Sequence, residues 1–513
     1  MARRPLSIRK KPLLARADSV AVDVPPALGG KNSRDNISIM PKTDAIDLVN
    51  WVPGVSGLKS RLGSASATTG YSSNVESLIP YQSGATKLFI SSSGTTLYTD
   101  NGSGTLTSKA TGLANARWQG EQLGSNMMLA NGADDPRNFD GSTITTTSFT
   151  GDLSTYGPEK IHSFKKHKNR MYAWDVDYPN FFYGGVNAIA GQFDEFNLEN
   201  VSDTAGNIIE IKTISRDAGD GPDDYLAFIL DTGEVIIYAG SNPGDANAWQ
   251  LVGKFIIPPI VGLRCAKEFA GDVLILTQTD LIKLSDVIRY GSEAGGFNLQ
   301  PSKLSGDITS DYKMYGSNYG WSLTVYPGAN WFIINVPETT NSKYHQYIVD
   351  ATTGAYTEFQ GWNAQVFGTL NKNLYFGKST ALIQGNTGED DQGSAISLIS
   401  RQAFNNLGTT RRKKISNARL YMESIGTLSV DFALGLDFDF PNPQGVQTSS
   451  TVGAEWDVAD WDTAEWSGDD ARVINFVTAG IGAFVSPQVS IQVKGQQVTW
   501  HQTTYNFNVA ETY

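Results

Sequence analysis

Cysteine is almost absent: Cys265 stands alone in 513 residues. That excludes an internal disulfide framework and any multi-cysteine metal site. Histidine is scarce too, with only His162, His167, His345 and His501. None forms an H-x-x-x-H pair, and His162 and His167 are spaced for opposite faces of a strand, so no zinc site is expected. Charged residues make up 18%, against a usual ~25%. With aromatics at 11%, a disordered chain is excluded. Helical periodicity is thin, and the Ala, Glu, Lys and Leu enrichment of a bundle is missing. The longest apolar run, Phe476 to Val485, is far short of the ~18 residues a spanning helix needs.

Glycine is plentiful, at 52 residues. Charge is uneven. Arg3, Arg4, Arg9, Lys10, Lys11 and Arg16 all precede the first acid, Asp18. Setting those six aside leaves 34 basic residues against 52 acidic ones, a charge of −18 on the rest of the chain. A basic arm on an acidic body suits an arm that orders on an acidic surface or on nucleic acid, or one that stays solvated. A secretory signal is not expected, because only Leu13, Leu14 and Ala15 follow Pro12 where an apolar h-region belongs. Composition alone leaves an organelle transit peptide open.

From about residue 66 the sequence alternates short apolar runs with Gly, Asn and Asp turns. Leu226 to Leu230 and Val235 to Tyr238 flank Asp231-Thr-Gly-Glu234 as a hairpin. Trp331 to Val336, Tyr344 to Val349 and Tyr356 to Phe359 keep the same beat. Strands at about ten-residue spacing predict an all-β chain, a sandwich or propeller, and the many short strands favour a β-propeller-like body. The expected organisation is a basic arm over 1–20, an N-terminal segment over 21–65, the propeller-like body over 66–400 and a C-terminal β-domain over 401–513. No repeat is strict enough to count blades. One or two helical turns are predicted over Asp44 to Trp51 and one over Leu281 to Ile288.

Chemistry is sparse. No G-x-S-x-G elbow, phosphate-binding loop or sialidase aspartate box occurs. Asp217, Asp220, Asp223 and Asp224 crowd one glycine-containing loop, but without the calcium-loop spacing or its closing glutamate, so a solvated turn is expected. Trp456, Trp461 and Trp466 recur at a period of five among acids. They suit a sugar platform or, more ordinarily, burial at a subunit or domain seam. Arg411, Arg412, Lys413 and Lys414 form a second basic cluster. No catalytic residue, metal ligand or cofactor site is expected, and no hydrolase activity.

A series of blocks carries a resemblance: Gly29-Gly-Lys-Asn-Ser-Arg-Asp35, Met40-Pro-Lys-Thr-Asp-Ala-Ile46, Asp47-Leu-Val-Asn-Trp-Val-Pro53 and Arg61-Leu-Gly63 at the start of the body. Met127-Met-Leu-Ala-Asn-Gly132, Asn138-Phe-Asp-Gly141 and Lys168-Asn-Arg-Met-Tyr-Ala173 follow. So do Asp223-Asp-Tyr-Leu-Ala-Phe228, Gly233-Glu-Val-Ile-Ile-Tyr-Ala-Gly240, Trp249-Gln-Leu-Val-Gly253, Gly271-Asp-Val-Leu-Ile-Leu276 and Ile282-Lys-Leu-Ser285. In order, they resemble the tail nozzle proteins (tail tubular protein B) of short-tailed, podovirus-type bacteriophages, across most of residues 27–510. The basic extension over 1–20 departs from that family.

The resemblance implies a propeller-like subunit of a hexameric ring at the distal end of a phage tail. Such a ring stacks beneath a tail adaptor, beside tail fibre protein, and passes double-stranded genomic DNA without sequence-specific binding. It implies a virion protein assembled in the host cytoplasm. On that footing the arm residues Arg3 to Arg16 and the cluster Arg411 to Lys414 are candidates for docking neighbouring virion proteins. Trp51, Trp456, Trp461 and Trp466 are candidate interface aromatics. The lumen wall is expected to be acidic or neutral-polar, since a basic wall would grip phosphates. The rival expectation is a carbohydrate-binding or glycan-cleaving propeller that contacts the host surface.

Overall fold

Short strands joined by tight turns dominate the computed structural model, which describes residues 19–217, 222–290, 300–443, 447–449 and 471–509. The turns follow from sequence. Lys168-Asn169 joins Ser163–His167 to Arg170–Trp174, and Asn371-Lys372 joins Val366–Leu370 to Asn373–Lys378. All four turn residues have positive φ, 44° and 60° in the first pair and 51° and 67° in the second. That is the two-residue hairpin geometry whose twist matches the flanking strands, and asparagine tolerates it best after glycine.

The hairpins stack into sheets over 75–111, 119–146, 149–196, 208–256, 266–283, 322–359 and 366–385, here called sheets one to seven. Their innermost strands are Val75–Ser83, Gln119–Leu123, Ser163–His167, Ile208–Asp217, Ala266–Phe269, Ser322–Tyr326 and Val366–Leu370. Each packs against the next, and the last packs back on the first. The chain is therefore a β-propeller, with six full blades and a smaller fifth sheet of three strands. Ser64–Thr69 closes the ring by pairing with Ala381–Gly385, so the last blade is completed by a strand from before the first.

Two further sheets form a sandwich. One holds Val20–Val24, Trp51–Pro53, Leu58–Ser60, Lys413–Ser424, Ala471–Gly482 and Val498–Val509. The other holds Ala45–Val49, Ile396–Gln402, Leu428–Leu436, Gln447–Ser449 and Val485–Val493. Leu48, Trp51, Leu420, Val430, Phe432, Val489, Trp500 and Tyr505 share one core between them. Burying each such side chain stabilises by about 1.5–3 kcal/mol. The second sheet runs on into blade six, where Val49 pairs parallel with Glu358.

Several local expectations are revised. Most of the 21–65 segment is built into the sandwich, as is Ile396–Gln402 at the end of the interval assigned to the body. The helical turns expected over Asp44 to Trp51 are instead the strands Ala45–Val49 and Trp51–Pro53. Ladder partners on both sides, Ser400 for Leu48 and Glu358 for Val49, outweigh weak local propensity. Leu281–Lys283 is strand, and helix begins only at Leu284–Tyr290. No helix among the described residues is long and apolar enough to cross a membrane.

Candidate functional site: the axis of the ring

The innermost strands of a propeller face one another across its axis, and here they carry charge. Glu76, Glu121, Glu210 and Glu268 meet Arg117, Lys165, Lys212, Arg264 and Lys267. Lys165 Nζ lies 3.5 Å from Glu121 Oε1 of sheet two and 2.8 Å from Glu268 Oε1 of sheet five. The Glu268 carboxylate also accepts from the Thr213 amide at 2.6 Å, and despite burial the lysine beside it holds it below its ordinary range. Lys212 Nζ pairs with Glu210 Oε2 at 2.6 Å. Arg117 pairs with Glu76 at 3.3 Å and stacks on the Tyr319 ring, 3.7 Å from its centroid.

Arg264 crosses the axis. Its backbone opens sheet five, where its amide donates to Glu210 Oε1 at 2.7 Å and its carbonyl accepts from Leu323 of sheet six at 2.9 Å. Its guanidinium reaches sheets one and two. Nη1 donates to the Glu76 carbonyl at 2.8 Å, and Nη2 donates to Ser77 Oγ at 2.9 Å and the Trp118 carbonyl at 3.1 Å. One residue thus ties five sheets together. It does so from a left-handed backbone, φ 72°, which costs a side-chain-bearing residue energy.

The Lys267 ammonium has no hydrogen-bond or ion-pair partner among the described residues. Burial, reinforced by the charge of Lys212, pushes its ammonium down to about 8. It lines a cavity of about 120 Å³ with Pro80, Gln119, Arg264, Ser322 and Phe367. The Ser322 hydroxyl is buried and without a partner.

The residues singled out by sequence lie elsewhere. Arg3, Arg4, Arg9, Lys10, Lys11, Arg16, Trp456, Trp461, Trp466 and Asp220 fall outside the described residues. Asp217 and Asp223 lie in the paired strands Ile208–Asp217 and Pro222–Leu230, and Asp224 accepts from Ser215 Oγ at 2.5 Å. Trp51 is fully buried against Trp500, 6.2 Å between ring centroids, so it packs inside the chain's own core and cannot serve as a surface aromatic. The basic cluster splits. Arg411, Arg412 and Lys414 are exposed. Lys413 is buried, and its ammonium donates to the carbonyls of Thr409, Arg411 and Ala483 at 2.7, 2.9 and 2.7 Å. All three protons are used, which removes Lys413 from the docking candidates.

The histidines are each held locally. His162 Nδ1 is 3.0 Å from Asp175, and His501 Nε2 is 3.0 Å from Glu423. His167 is buried between Thr213 and the Gly240 carbonyl, and burial depresses it to about 4. His345 lies between Asp311 and Glu338. Among the described residues no group of His, Cys, Asp or Glu is placed to hold a metal ion.

Sequence reasoning missed the axial set. A signal for it exists in the innermost strands, where charges interrupt otherwise apolar blades: SFKKH, IIEIKTISRD and AKEF.

No family model and no curated protein matches the chain. Among solved structures, it is similar to the β-propeller domain of Cps50 (Swd1) from Myceliophteria thermophila, at 11% identity and a TM-score of 0.40, covering 63% of this chain and 98% of that one. It is also similar to Sqt1 of Saccharomyces cerevisiae, at 13% identity and 0.39, covering 69% and 96%. A putative 6-phosphogluconolactonase from Bacteroides fragilis aligns at 13% and 0.32, covering 64% and 91%. At these values the likeness says nothing about function.

Proposed function

We propose that this chain is a structural virion protein, the subunit of the tail nozzle ring of a short-tailed phage. Six copies enclose the path of the ejected genome, and they stack on a tail adaptor beside fibre protein. In this reading DNA travels between subunits, not along the propeller axis, which Arg264 obstructs.

The observation that carries the reading is the edge of the sandwich. Ala471–Gly482 pairs with Lys413–Ser424 on one side only among the described residues. Its outward positions include Val473, Val477 and Ile481, exposed at 49%, 92% and 52%. A long edge strand whose only charge, Arg472, lies at its start, and whose later outward positions are apolar, is a template for another chain. In a ring of identical subunits, each such edge meets the same complementary surface of its neighbour, and cyclic closure leaves none open.

Electron microscopy of the purified chain, alone and mixed with its adaptor, tests the reading. A six-fold ring with an open lumen is expected in the mixture. A three-fold or open assembly, or a chain that remains monomeric and binds sugar, overturns it.

A further inference from the structure

We propose that the axis of the propeller binds a small tetrahedral oxyanion, of the phosphate or sulfate class, between Lys267, Ser322 and Arg264.

Charge is the first ground. The axial groups hold five cations and four carboxylates. Lys165, Lys212 and Arg117 have carboxylate partners, and the Arg264 guanidinium is engaged by neutral acceptors. Lys267 is left over, and a half-buried cation without a partner is unfavourable.

The second ground is donors. The Lys267 ammonium offers three N–H groups, and its partners are absent among the described residues. Ser322 is 7% exposed and its hydroxyl is unpaired. Arg264 Nη1 has one proton beyond the bond to the Glu76 carbonyl. An oxyanion with several lone pairs satisfies such a set, and charge-assisted bonds of this kind are short and strong.

The third is space. These three residues line one cavity of about 120 Å³, with Leu78, Ile79 and Phe367 among its walls. A single water needs only about 10–15 Å³ by this measure.

The test is titration with sodium sulfate at constant ionic strength, chloride being withdrawn as sulfate is added. Thermal unfolding and calorimetric heat are the readouts. Wild type is expected to show a saturable rise in Tm with matching heat, Ser322→Ala a weakening of about tenfold, and Lys267→Met no response. Inorganic phosphate should replace sulfate.

Sulfate keeps its charge throughout, so its affinity should also fall between about pH 7 and about pH 9.5 as Lys267 loses its proton. The groups around Lys267 are Lys212, Glu210, Arg264 and Cys265, with Lys165, Glu268, Glu121, Glu76 and Arg117 beyond them. Carboxylates and guanidinium groups do not titrate in that interval. Burial pushes the Cys265 thiol above it.

A response equal in wild type and Lys267→Met, or none that saturates, overturns the site. Should Lys267→Met fail to fold, Lys267→Gln and the pH series decide. The oligomeric state does not enter these readouts, so the site stands or falls apart from the nozzle reading.

Discussion

Arg264 Nη2 donates to the carbonyl oxygen of Trp118 at 3.1 Å, although their sheets, the fifth and the second, are not neighbours in the ring. The bond is a brace across the middle of the propeller. Velcro-like pairing of Ser64–Thr69 closes the rim, and Arg264 ties the centre. A ring stabilised at both places resists opening between blades.

Replacing Arg264 by Met removes those bonds and leaves acceptors in sheets one and two without their donor. The expected loss is about 3 kcal/mol, read by urea unfolding. The left-handed backbone adds a second expectation. Arg264→Gly should be more stable than Arg264→Ala by about 1 kcal/mol, because glycine adopts φ 72° without penalty. If alanine proves the better replacement, the backbone strain is not there.

Lys267 gives a pH signature in oxyanion-free buffer. Its folded pKa, about 8, lies below the ordinary lysine value of 10.5. Between those values the unfolded chain binds more protons than the folded one, so this group makes stability rise with pH. Lys267→Met should be more stable than wild type near neutrality, by roughly 1–3 kcal/mol, and the two should converge toward about pH 10.5. Parallel stability profiles would show that the ammonium is not strained.

His345 behaves in the opposite sense. Burial disfavours its charge, but the hydrogen bond and charge of Asp311, with Glu358 and Glu338 adding, prevail and raise its pKa. Nε2 lies 3.0 Å from Asp311 on the helix Ser305–Tyr315, and Nδ1 lies 3.1 Å from Glu338. Tyr347 donates to the same Asp311 at 2.6 Å. The stabilisation is complete below the unfolded value of about 6.5 and is lost as pH rises through the higher folded value. His345→Gln should flatten that decline, which thermal unfolding at a series of pH values reads directly.

Much of the architecture is legible in the sequence because local chemistry fixes it. Asn371-Lys372 and Asp231-Thr-Gly-Glu234 punctuate strands whose lengths and spacing already indicate a propeller. The seam between N-terminal and C-terminal strands is not legible. Val20–Val24 pairs with Val498–Val509, and nothing near residue 20 announces a partner almost five hundred residues away. Lys413 reads as one of four adjacent cations until the Ala483 carbonyl arrives from the turn between Ala471–Gly482 and Val485–Val493. The axial charges were visible as letters, but seeing that they converge requires the order of the sheets around the ring.

Lys413 separates structure from surface within the basic cluster. Lys413→Ala leaves three carbonyls without their donor and should destabilise the sandwich by roughly 2–4 kcal/mol. Arg411→Glu, Arg412→Glu and Lys414→Glu alter exposed positions and should each stay within about 0.5 kcal/mol of wild type. If these three reversals impair assembly with the adaptor while unfolding is unchanged, the exposed part of the cluster is a docking surface. Unimpaired assembly assigns the docking elsewhere.

The edge strand Ala471–Gly482 offers the sharpest test of assembly. Val477 is 92% exposed, and its cross-strand neighbour is Asn417. A valine so placed contributes almost nothing to the subunit's own core, so Val477→Lys should leave thermal unfolding of the monomer within about 0.5 kcal/mol of wild type. Lysine on an edge is also how natural sheets discourage pairing with another chain. If a second copy covers this edge in the ring, the buried ammonium would face apolar surface without a partner, a penalty large enough to block closure. The expected outcome is a folded monomer that fails to form rings with the adaptor present. Val477→Ile, which keeps the apolar surface, should assemble normally. Rings of ordinary size and yield from Val477→Lys would show that this edge faces solvent in the assembly and that copies of the chain meet through another surface.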